Sequence, residues 1–179
     1  MARFVVCGTG RSATTWAAAV FRICGLPVTH QKVFTWDSVA KRDWMWGDSV
    51  GEASYMSVPL LAGIAEREPD TVIILLRRDR EAVAASWVGR DGFRNPKARP
   101  EFHACVRDMF PTVFDVDDPY KQALRYVDAW NGYAERFADH VFDVEGLPPR
   151  TLFEVTGHAD DYRHVLATGV STTINSDKH

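Results

Sequence analysis

Residues 4–24 read FVVCGTGRSATTWAAAVFRIC, and this stretch decides the fold. The run RFVVCG, residues 3–8, is β-rich and bounded by Gly8, which predicts a buried strand followed by a turn. From residue 12 to residue 24 the apolar residues suit a buried helix, and Gly25 brings that helix to an end. A strand, a glycine turn and a helix in immediate succession are typical of an α/β protein.

The rest of the chain continues this alternation. The unbroken apolar run at 71–78, TVIILLRR, predicts a central parallel strand that is covered on both faces. Shorter strands are predicted at 27–30 and 140–146. Helices are predicted at 12–24, 37–46 with Asp37 or Ser38 as the cap, 57–68 with Ser57 as the cap, 79–88 with Asp79 as the cap, 119–140, 151–157 and 160–168.

This order of elements predicts one α/β domain over residues 1–179, with three layers and a central parallel sheet between helices. Residues 89–100 are rich in Gly, Pro and Arg, which predicts a mobile loop. Ligands of such sheets bind beyond the carboxyl ends of the strands. The turn after the first strand and the segment after residue 77 both lie at those ends.

The charge balance restricts the partners. Lys and Arg total 21 and Asp and Glu total 24, a net charge of −3, so no overall attraction to nucleic acid or to an anionic membrane is expected. Cys7, Cys24 and Cys105 are too few for a disulfide framework or a zinc site, which favours a reduced, cytoplasmic protein. No apolar run approaches the roughly 20 residues of a membrane span.

No metal site is expected either, because no metal-ligand spacing occurs in the sequence. The acidic residues of the segment FDVDDP are expected to cap the helix that follows them. These residues are Asp115, Asp117 and Asp118.

The turn from Gly8 to Thr15 has the composition of an anion-binding loop. Its glycines allow the backbone to curl and expose successive N–H groups, and the following helix start adds unpaired donors and a partial positive charge. Arg11 contributes a permanent cation with bidentate geometry, and hydroxyl groups stand at Ser12, Thr14 and Thr15. These features predict a phosphate or sulfate site.

The same turn departs from the Walker A loop of nucleoside triphosphatases. That loop has a second glycine and a lysine before its hydroxyl residue. Here Ala13 and Thr14 occupy those two positions, and the cation stands three residues earlier, at Arg11.

The string GTGRSATTW resembles the 5′-phosphosulfate loop of the sulfotransferase superfamily, which typically reads basic-Ser-Gly-Thr-Thr-Trp. Ala13 stands in place of the family's glycine, a small residue for a small one. Arg11 stands in place of the common lysine, as it does in many members. Five residues match position by position: Arg11, Ser12, Thr14, Thr15 and Trp16.

A second motif supports this resemblance. The family has an arginine at the end of a central strand and a serine eight positions later, and these two residues bind the 3′-phosphate of 3′-phosphoadenosine 5′-phosphosulfate (PAPS). Arg78 and Ser86 have this spacing, although Arg77 is a competing candidate. The resemblance implies a P-loop NTPase-like fold. The residues that it implies for binding PAPS, and the product 3′-phosphoadenosine 5′-phosphate (PAP), are Gly8, Thr9, Gly10, Arg11, Ser12, Ala13, Thr14, Thr15, Trp16, Arg78 and Ser86.

The activity implied by the resemblance is transfer of the sulfuryl group of PAPS to a hydroxyl or amine of a small-molecule or glycan acceptor. Arg11 would neutralise the leaving oxygen, and Trp16 would lie against the adenine. The family uses a His or Glu as general base, in many members near the end of the second strand, where this chain has His30. Rival bases are Glu52, Asp37 and His103.

Two further regions bear on the acceptor. Trp36, Trp44 and Trp46 are expected either to stack on an acceptor or to pack on the core. The basic residues of the 89–100 loop would either contact anionic groups or remain solvated. They are Arg90, Arg94, Lys97 and Arg99.

The C-terminal tail departs from the family. Many members add a basic-basic-Gly segment on the 3′-phosphate, which the tail GVSTTINSDKH does not contain. Ser171, Thr172 and Lys178 are weak substitutes for it. The chain is also short for the family, which favours a reduced acceptor pocket or one completed by a second subunit, so a homo-oligomer stays open.

Two other functions remain open from the sequence. One is a P-loop kinase that acts on a nucleotide or small molecule. The strand at 71–78 lacks the aspartate that ends a Walker B strand, and Thr14 stands where the loop lysine belongs. The other is a nucleotide-binding protein without catalytic activity.

Overall fold

A five-stranded parallel sheet lies at the centre of the protein, which we describe from a computed structural model covering residues 3–90 and 92–167. The strand order is β2-β3-β1-β4-β5, so β1 is the middle strand. Every neighbouring pair of strands is parallel. The strands are β1 (Phe4–Cys7), β2 (Val28–His30), β3 (Gly51–Ala53), β4 (Val72–Arg77) and β5 (His140–Asp143).

Helices cover both faces of this sheet. They are α1 (Thr14–Ile23), α2 (Trp36–Lys41), α3 (Leu61–Arg67), α4 (Arg80–Gly89), α5 (Pro100–Met109), α6 (Pro119–Glu135), α7 (Pro149–Val155) and α8 (Ala159–Ala167). Short 3₁₀ helices occur at Tyr55–Leu60, Pro96–Ala98 and Pro111–Phe114. Within the described ranges, none of the helices has the length and apolar character that crossing a bilayer requires.

The pleat of β1 divides the core into two clusters, because successive side chains of a strand point to opposite faces. Phe4 and Val6 belong to one cluster, which also contains apolar residues of α1 and α7. Val5 and Cys7 belong to the other, which contains residues of α3, α4, α5 and α6. All four side chains are fully buried. The predicted parallel sheet between helices is therefore confirmed.

β3 is the strand that the sequence analysis missed. It has three residues, and the middle one is Glu52, so it has neither the length nor the apolar run that indicates a strand. Glu52 is nevertheless fully buried, with its carboxylate accepting hydrogen bonds from the Thr29 hydroxyl and, at 2.9 Å, from the Lys32 amide. These local partners allow a carboxylate to occupy a buried strand.

Two helices have boundaries in the structure that differ from the predicted ones. The cap of α2 is Thr35, not Asp37 or Ser38, and its hydroxyl oxygen accepts from the Ser38 amide. The helix predicted at 57–68 is a 3₁₀ turn followed by α3, because Ser54, rather than Ser57, caps the segment and accepts from the Met56 amide. The Ser57 hydroxyl donates back to the Ser54 carbonyl instead.

The segment after α4 holds more regular structure than predicted. A 3₁₀ turn occupies 96–98, and α5 starts at Pro100, although no helix was predicted there. The helix predicted at 119–140 ends at Glu135, and Asp118 caps it as expected. Ser171, Thr172 and Lys178 lie outside the described residues.

One carboxylate fixes the tryptophan-rich segment that follows α2. Glu68 accepts the indole N–H of Trp44 at 2.8 Å, and its other oxygen accepts the indole N–H of Trp46, also at 2.8 Å. The ring of Trp46 is buried against Phe34. Trp44 and Trp46 therefore pack onto the body of the protein through Glu68.

We expect Glu68→Ala to lower the free energy of unfolding by about 3 kcal/mol, because two indole donors lose their acceptor. Glu66→Ala is the matched control, since Glu66 is an exposed carboxylate two residues away, and its effect should stay within about 0.5 kcal/mol. Urea unfolding measures both. Equal effects of the two substitutions would contradict this role of Glu68.

Candidate functional site

The order of the strands identifies where a ligand would bind. The chain leaves β1 through α1 on one face of the sheet and leaves the neighbouring β4 through α4 on the other face. A crevice forms at the carboxyl ends of such a pair of strands, and in open α/β sheets this is the usual ligand site. The turn at 8–13 and the segment 77–80 bound this crevice.

A cavity of about 810 Å³ lies at this position. Its size suits a nucleotide-sized ligand. Six of its lining residues come from the predicted loop, namely Gly10, Arg11, Ala13, Thr14, Thr15 and Trp16. The other described lining residues are Ala19, Gln31, Tyr55, Arg78, Ser86, Trp87, Arg90, Arg99, Val144 and Glu145.

The loop is anchored to the core by hydrogen bonds to its carbonyl groups. The Gly8 carbonyl accepts the indole N–H of Trp130 at 3.1 Å, and the Gly10 carbonyl accepts the indole N–H of Trp87 at 2.9 Å. Between them, the Thr9 carbonyl accepts from both the amide and the hydroxyl of Ser12. Three successive carbonyls are thus occupied by donors.

The amide side of the loop is open by contrast. In the described part of the chain, no carbonyl or side chain accepts from the amides of Ala13, Thr14, Thr15 or Trp16. Arg11 and Ala13 both have left-handed backbone angles, with φ of 82° and 63°. Left-handed residues in such a loop turn successive N–H groups toward one concave surface, which is a site for an anion.

The two predicted motifs meet in this cavity. The Arg11 Nε donates to the Ser86 hydroxyl oxygen at 3.0 Å, which joins the loop to α4. The Arg78 guanidinium donates to the Arg11 carbonyl at 3.4 Å. Arg77 instead pairs with Glu135 and Asp143, at 2.9 and 3.1 Å, and does not line the cavity. Of the two competing arginines, Arg78 is therefore the one at the site.

The electrostatics of the cavity are strongly positive. Arg11, Arg78, Arg90 and Arg99 line it, and among the described lining residues Glu145 is the one carboxylate. Partial burial lowers the pKa of Arg11, and the nearby guanidinium groups of Arg90, Arg78 and Arg99 lower it further. A polyanion would relieve this repulsion, so the cluster favours a ligand with several negative charges.

Glu145 offsets part of this charge. Its carboxylate lies 3.7 Å from the Arg78 guanidinium, and both side chains are about half exposed. Exposed pairs at this distance contribute little free energy, so a phosphate can replace Glu145 as the partner of Arg78. Neither Arg94 nor Lys97 is among the described lining residues.

His30 lies beside the loop hydroxyls rather than on the cavity surface. Its Nε2 is 3.2 Å from the Thr15 hydroxyl oxygen and 3.4 Å from that of Thr14, and His30 itself is not among the lining residues. Burial lowers the pKa of His30, and Arg22 lowers it further, so the ring is neutral at pH 7. A neutral imidazole can accept a proton through either hydroxyl.

In the described part of the chain, the hydrogen bonds of the three rival bases go to groups outside the loop, unlike those of His30. Burial raises the pKa of Glu52, against the opposing effect of its hydrogen bonds, and its carboxylate is enclosed by the Thr29 hydroxyl and the amides that follow β2. Asp37 is exposed and pairs with Lys41 at 2.8 Å. His103 is buried, with its Nε2 2.7 Å from the Gly92 carbonyl oxygen. None of these three lines the cavity.

Three of the loop residues predicted to bind the cofactor lie outside the lining of the cavity, and their part in binding stays a prediction. Gly8, Thr9 and Ser12 do not line the cavity, and the Ser12 hydroxyl is fully buried in its bond to the Thr9 carbonyl. A side chain at Gly8 would collide with the Leu76 carbonyl, which explains the glycine there. Trp36, Trp44 and Trp46 also lie outside the cavity.

Four polar or aromatic groups that line the cavity were not predicted from the sequence, namely Gln31, Tyr55, Trp87 and Glu145. Trp87 directly follows Ser86 in the sequence. Its role in anchoring the loop depends on its hydrogen bond to the Gly10 carbonyl, 77 positions away in the chain, which no local pattern indicates. Tyr55 follows β3, the strand that was missed. In residues 3–90 and 92–167, no group of three or more His, Cys, Asp or Glu is arranged to hold a metal ion.

Comparison with known proteins adds no relative, since no protein-family model and no curated protein matches this chain.

The left-handed conformation of Ala13 gives a test of the loop geometry. We expect Ala13→Gly to raise the free energy of unfolding by about 0.5–1 kcal/mol, because glycine adopts a positive φ without the Cβ penalty. Ala85→Gly, on the exposed face of α4, is the matched control and should lower it by about 1 kcal/mol. Urea unfolding compares the signs, and destabilisation by both would refute the strained loop.

Proposed function

We propose that this protein is a sulfotransferase of the P-loop NTPase-like class that transfers the sulfuryl group of PAPS to a hydroxyl or amine of an acceptor. The 3.0 Å contact between Arg11 and Ser86 carries the proposal. These residues belong to separate motifs, each assigned to a different phosphate of the same nucleotide. Their meeting at one cavity is what a doubly phosphorylated adenosine requires.

The chemistry of the cavity fits this substrate. The open amides of the loop suit the 5′-phosphosulfate, and Arg78 with Ser86 suits the 3′-phosphate, a group of about −2 charge. Trp16 lines the same cavity and offers a surface for the adenine. Arg90 and Arg99 provide further positive charge around the two anionic ends.

In the proposed reaction, an oxygen or nitrogen lone pair of the acceptor forms a bond to sulfur while the bond from sulfur to the bridging oxygen breaks. The electron pair of the broken bond stays on the 5′-phosphate, where Arg11 and the loop amides stabilise the charge. The proton of the acceptor leaves to a base. His30 is the candidate base, and the Thr15 hydroxyl at 3.2 Å would relay the proton to it.

A second candidate is nucleotide binding without transfer. The position of His30 behind the loop hydroxyls favours it, because no imidazole is among the described lining residues and Glu145 is paired with Arg78. The kinase alternative has less support, since Thr14 occupies the position of the Walker lysine and β4 ends in Arg77.

Titration calorimetry with PAP, AMP and ATP tests the proposal. We expect PAP to bind at least tenfold more tightly than AMP or ATP, because Arg78 and Ser86 would hold the 3′-phosphate. Arg78→Ala should weaken PAP binding roughly 10- to 100-fold and change AMP binding little.

Arg77→Ala is the matched control. It removes the adjacent guanidinium, which pairs with Glu135 and Asp143 outside the cavity, and should leave PAP affinity unchanged. Equal affinity for PAP and AMP in the unaltered protein would overturn the proposed substrate.

A further inference from the structure

We propose that Tyr55 is the residue that contacts the sulfuryl acceptor, and that its hydroxyl orients the acceptor's nucleophilic atom toward sulfur. This inference rests on the proposed function and adds to it the side of the cavity from which the acceptor approaches.

The sheet order places Tyr55 just after the strand that neighbours β1. β3 lies between β1 and β2, and Ala53 pairs with Val6 on one side and with His30 on the other. His30 is thus two strands from β1, roughly 10 Å at ordinary strand spacing. Tyr55 begins the 3₁₀ helix two residues after Ala53, the last residue of the strand beside β1.

The backbone around Tyr55 is firmly held. The Ser54 amide donates to the Val6 carbonyl at 2.9 Å, which extends the pairing of β3 with β1 by one residue. The Ser54 hydroxyl oxygen accepts from the Met56 amide at 3.1 Å, and the Ser57 hydroxyl donates to the Ser54 carbonyl at 2.6 Å. Tyr55 is therefore fixed by bonds on both sides of it.

The ring of Tyr55 is held as firmly as its backbone. It packs edge-on against Trp87, with 6.2 Å between ring centroids, and against Trp36 at 5.9 Å. Trp87 in turn donates its indole N–H to the Gly10 carbonyl. One side chain thus connects Tyr55 to the loop that would hold the phosphosulfate, and Tyr55, 9% exposed, lines the cavity beside it.

The remaining walls leave this side free for an acceptor. Arg78, Val144 and Glu145 follow β4 and β5, and in the proposed complex the 3′-phosphate end of the nucleotide occupies that side. Gln31 and Tyr55 follow β2 and β3 at the opposite side. The Glu52 carboxylate accepts from the backbone amide of Lys32 at 2.9 Å and so holds the turn that presents Gln31.

A phenol suits the positioning of an acceptor rather than the removal of its proton. Burial raises the pKa of Tyr55, although Arg99 opposes the rise, so the hydroxyl remains protonated near neutral pH. A protonated phenol can donate to one lone pair of a hydroxyl acceptor, or accept one N–H of an amine acceptor, and so hold the remaining lone pair toward sulfur. In both cases a proton of the acceptor stays available to the Thr15 hydroxyl. The acceptor's proton then leaves through the Thr15 hydroxyl to His30, as in the proposed reaction.

Tyr55→Phe tests this role, because it removes the hydroxyl and keeps the ring. Transfer from PAPS is measured to two probe acceptors, water and 4-nitrophenol, as release of sulfate and of the sulfated phenol. We expect kcat/KM for PAPS to fall roughly tenfold or more with either acceptor. PAP affinity, measured by calorimetry, should change less than twofold. Tyr133→Phe is the matched control, a half-buried phenol that packs on Phe110 and Phe137 and should have no effect.

The outcomes separate the two proposals. Unchanged transfer in Tyr55→Phe, or an equal loss of PAP affinity and of transfer, would overturn the role of Tyr55 and leave the sulfotransferase proposal intact. Failure of the unaltered protein to bind PAP would refute the nucleotide site itself. Tight PAP binding with no transfer to either probe would refute the transfer reaction and, with it, an acceptor contact at Tyr55.

Discussion

The candidate site depends on hydrogen bonds that side chains of the core donate to the carbonyls of the loop. A loop can offer its amides to an anion only if its carbonyls have partners elsewhere, because a buried carbonyl without one is costly. Trp130 and Trp87 supply those partners for Gly8 and Gly10, and Ser12 supplies them for Thr9. The indole N–H suits this task, since it donates only and never competes as an acceptor.

This arrangement couples the site to the packing of α4 and α6. Trp87 stacks on Phe102, with ring centroids 4.6 Å apart, and Trp130 packs on Tyr126. The Tyr126 hydroxyl oxygen accepts from the Gly10 amide at 3.4 Å, so both sides of Gly10 are fixed. Gly10 has no space for a Cβ, which would lie 2.5 Å from the Trp87 ring. The geometry of the loop is therefore set by the packing of one of the two core clusters, the one that contains Trp87, Tyr126 and Trp130.

Local sequence patterns were sufficient for the elements that have a strong signal of their own. The apolar runs of β1 and β4 and the Asp79 cap of α4 predicted those elements, and Gly8 predicted the turn between β1 and α1. The anion-binding role of that turn stays a prediction. β3 was missed because its stability comes from two neighbouring strands and from the partners of Glu52. Two other features also depend on contacts between residues far apart in the chain. They are the position of Tyr55, which follows β3, and the hydrogen bond from Trp130 to the Gly8 carbonyl, 122 residues away.

The use of arginine rather than lysine at position 11 follows from the same geometry. The Arg11 Nε is committed to Ser86 on α4, while the two terminal nitrogens of the guanidinium group retain their N–H donors for a ligand. A lysine has one nitrogen, so the same group would have to serve both α4 and the anion. The arginine's positive φ of 82° also costs backbone free energy, which the contacts of its guanidinium with Ser86 and of its carbonyl with Arg78 help to offset. The cation at this position thus both joins the two motifs and remains available to a charge in the cavity.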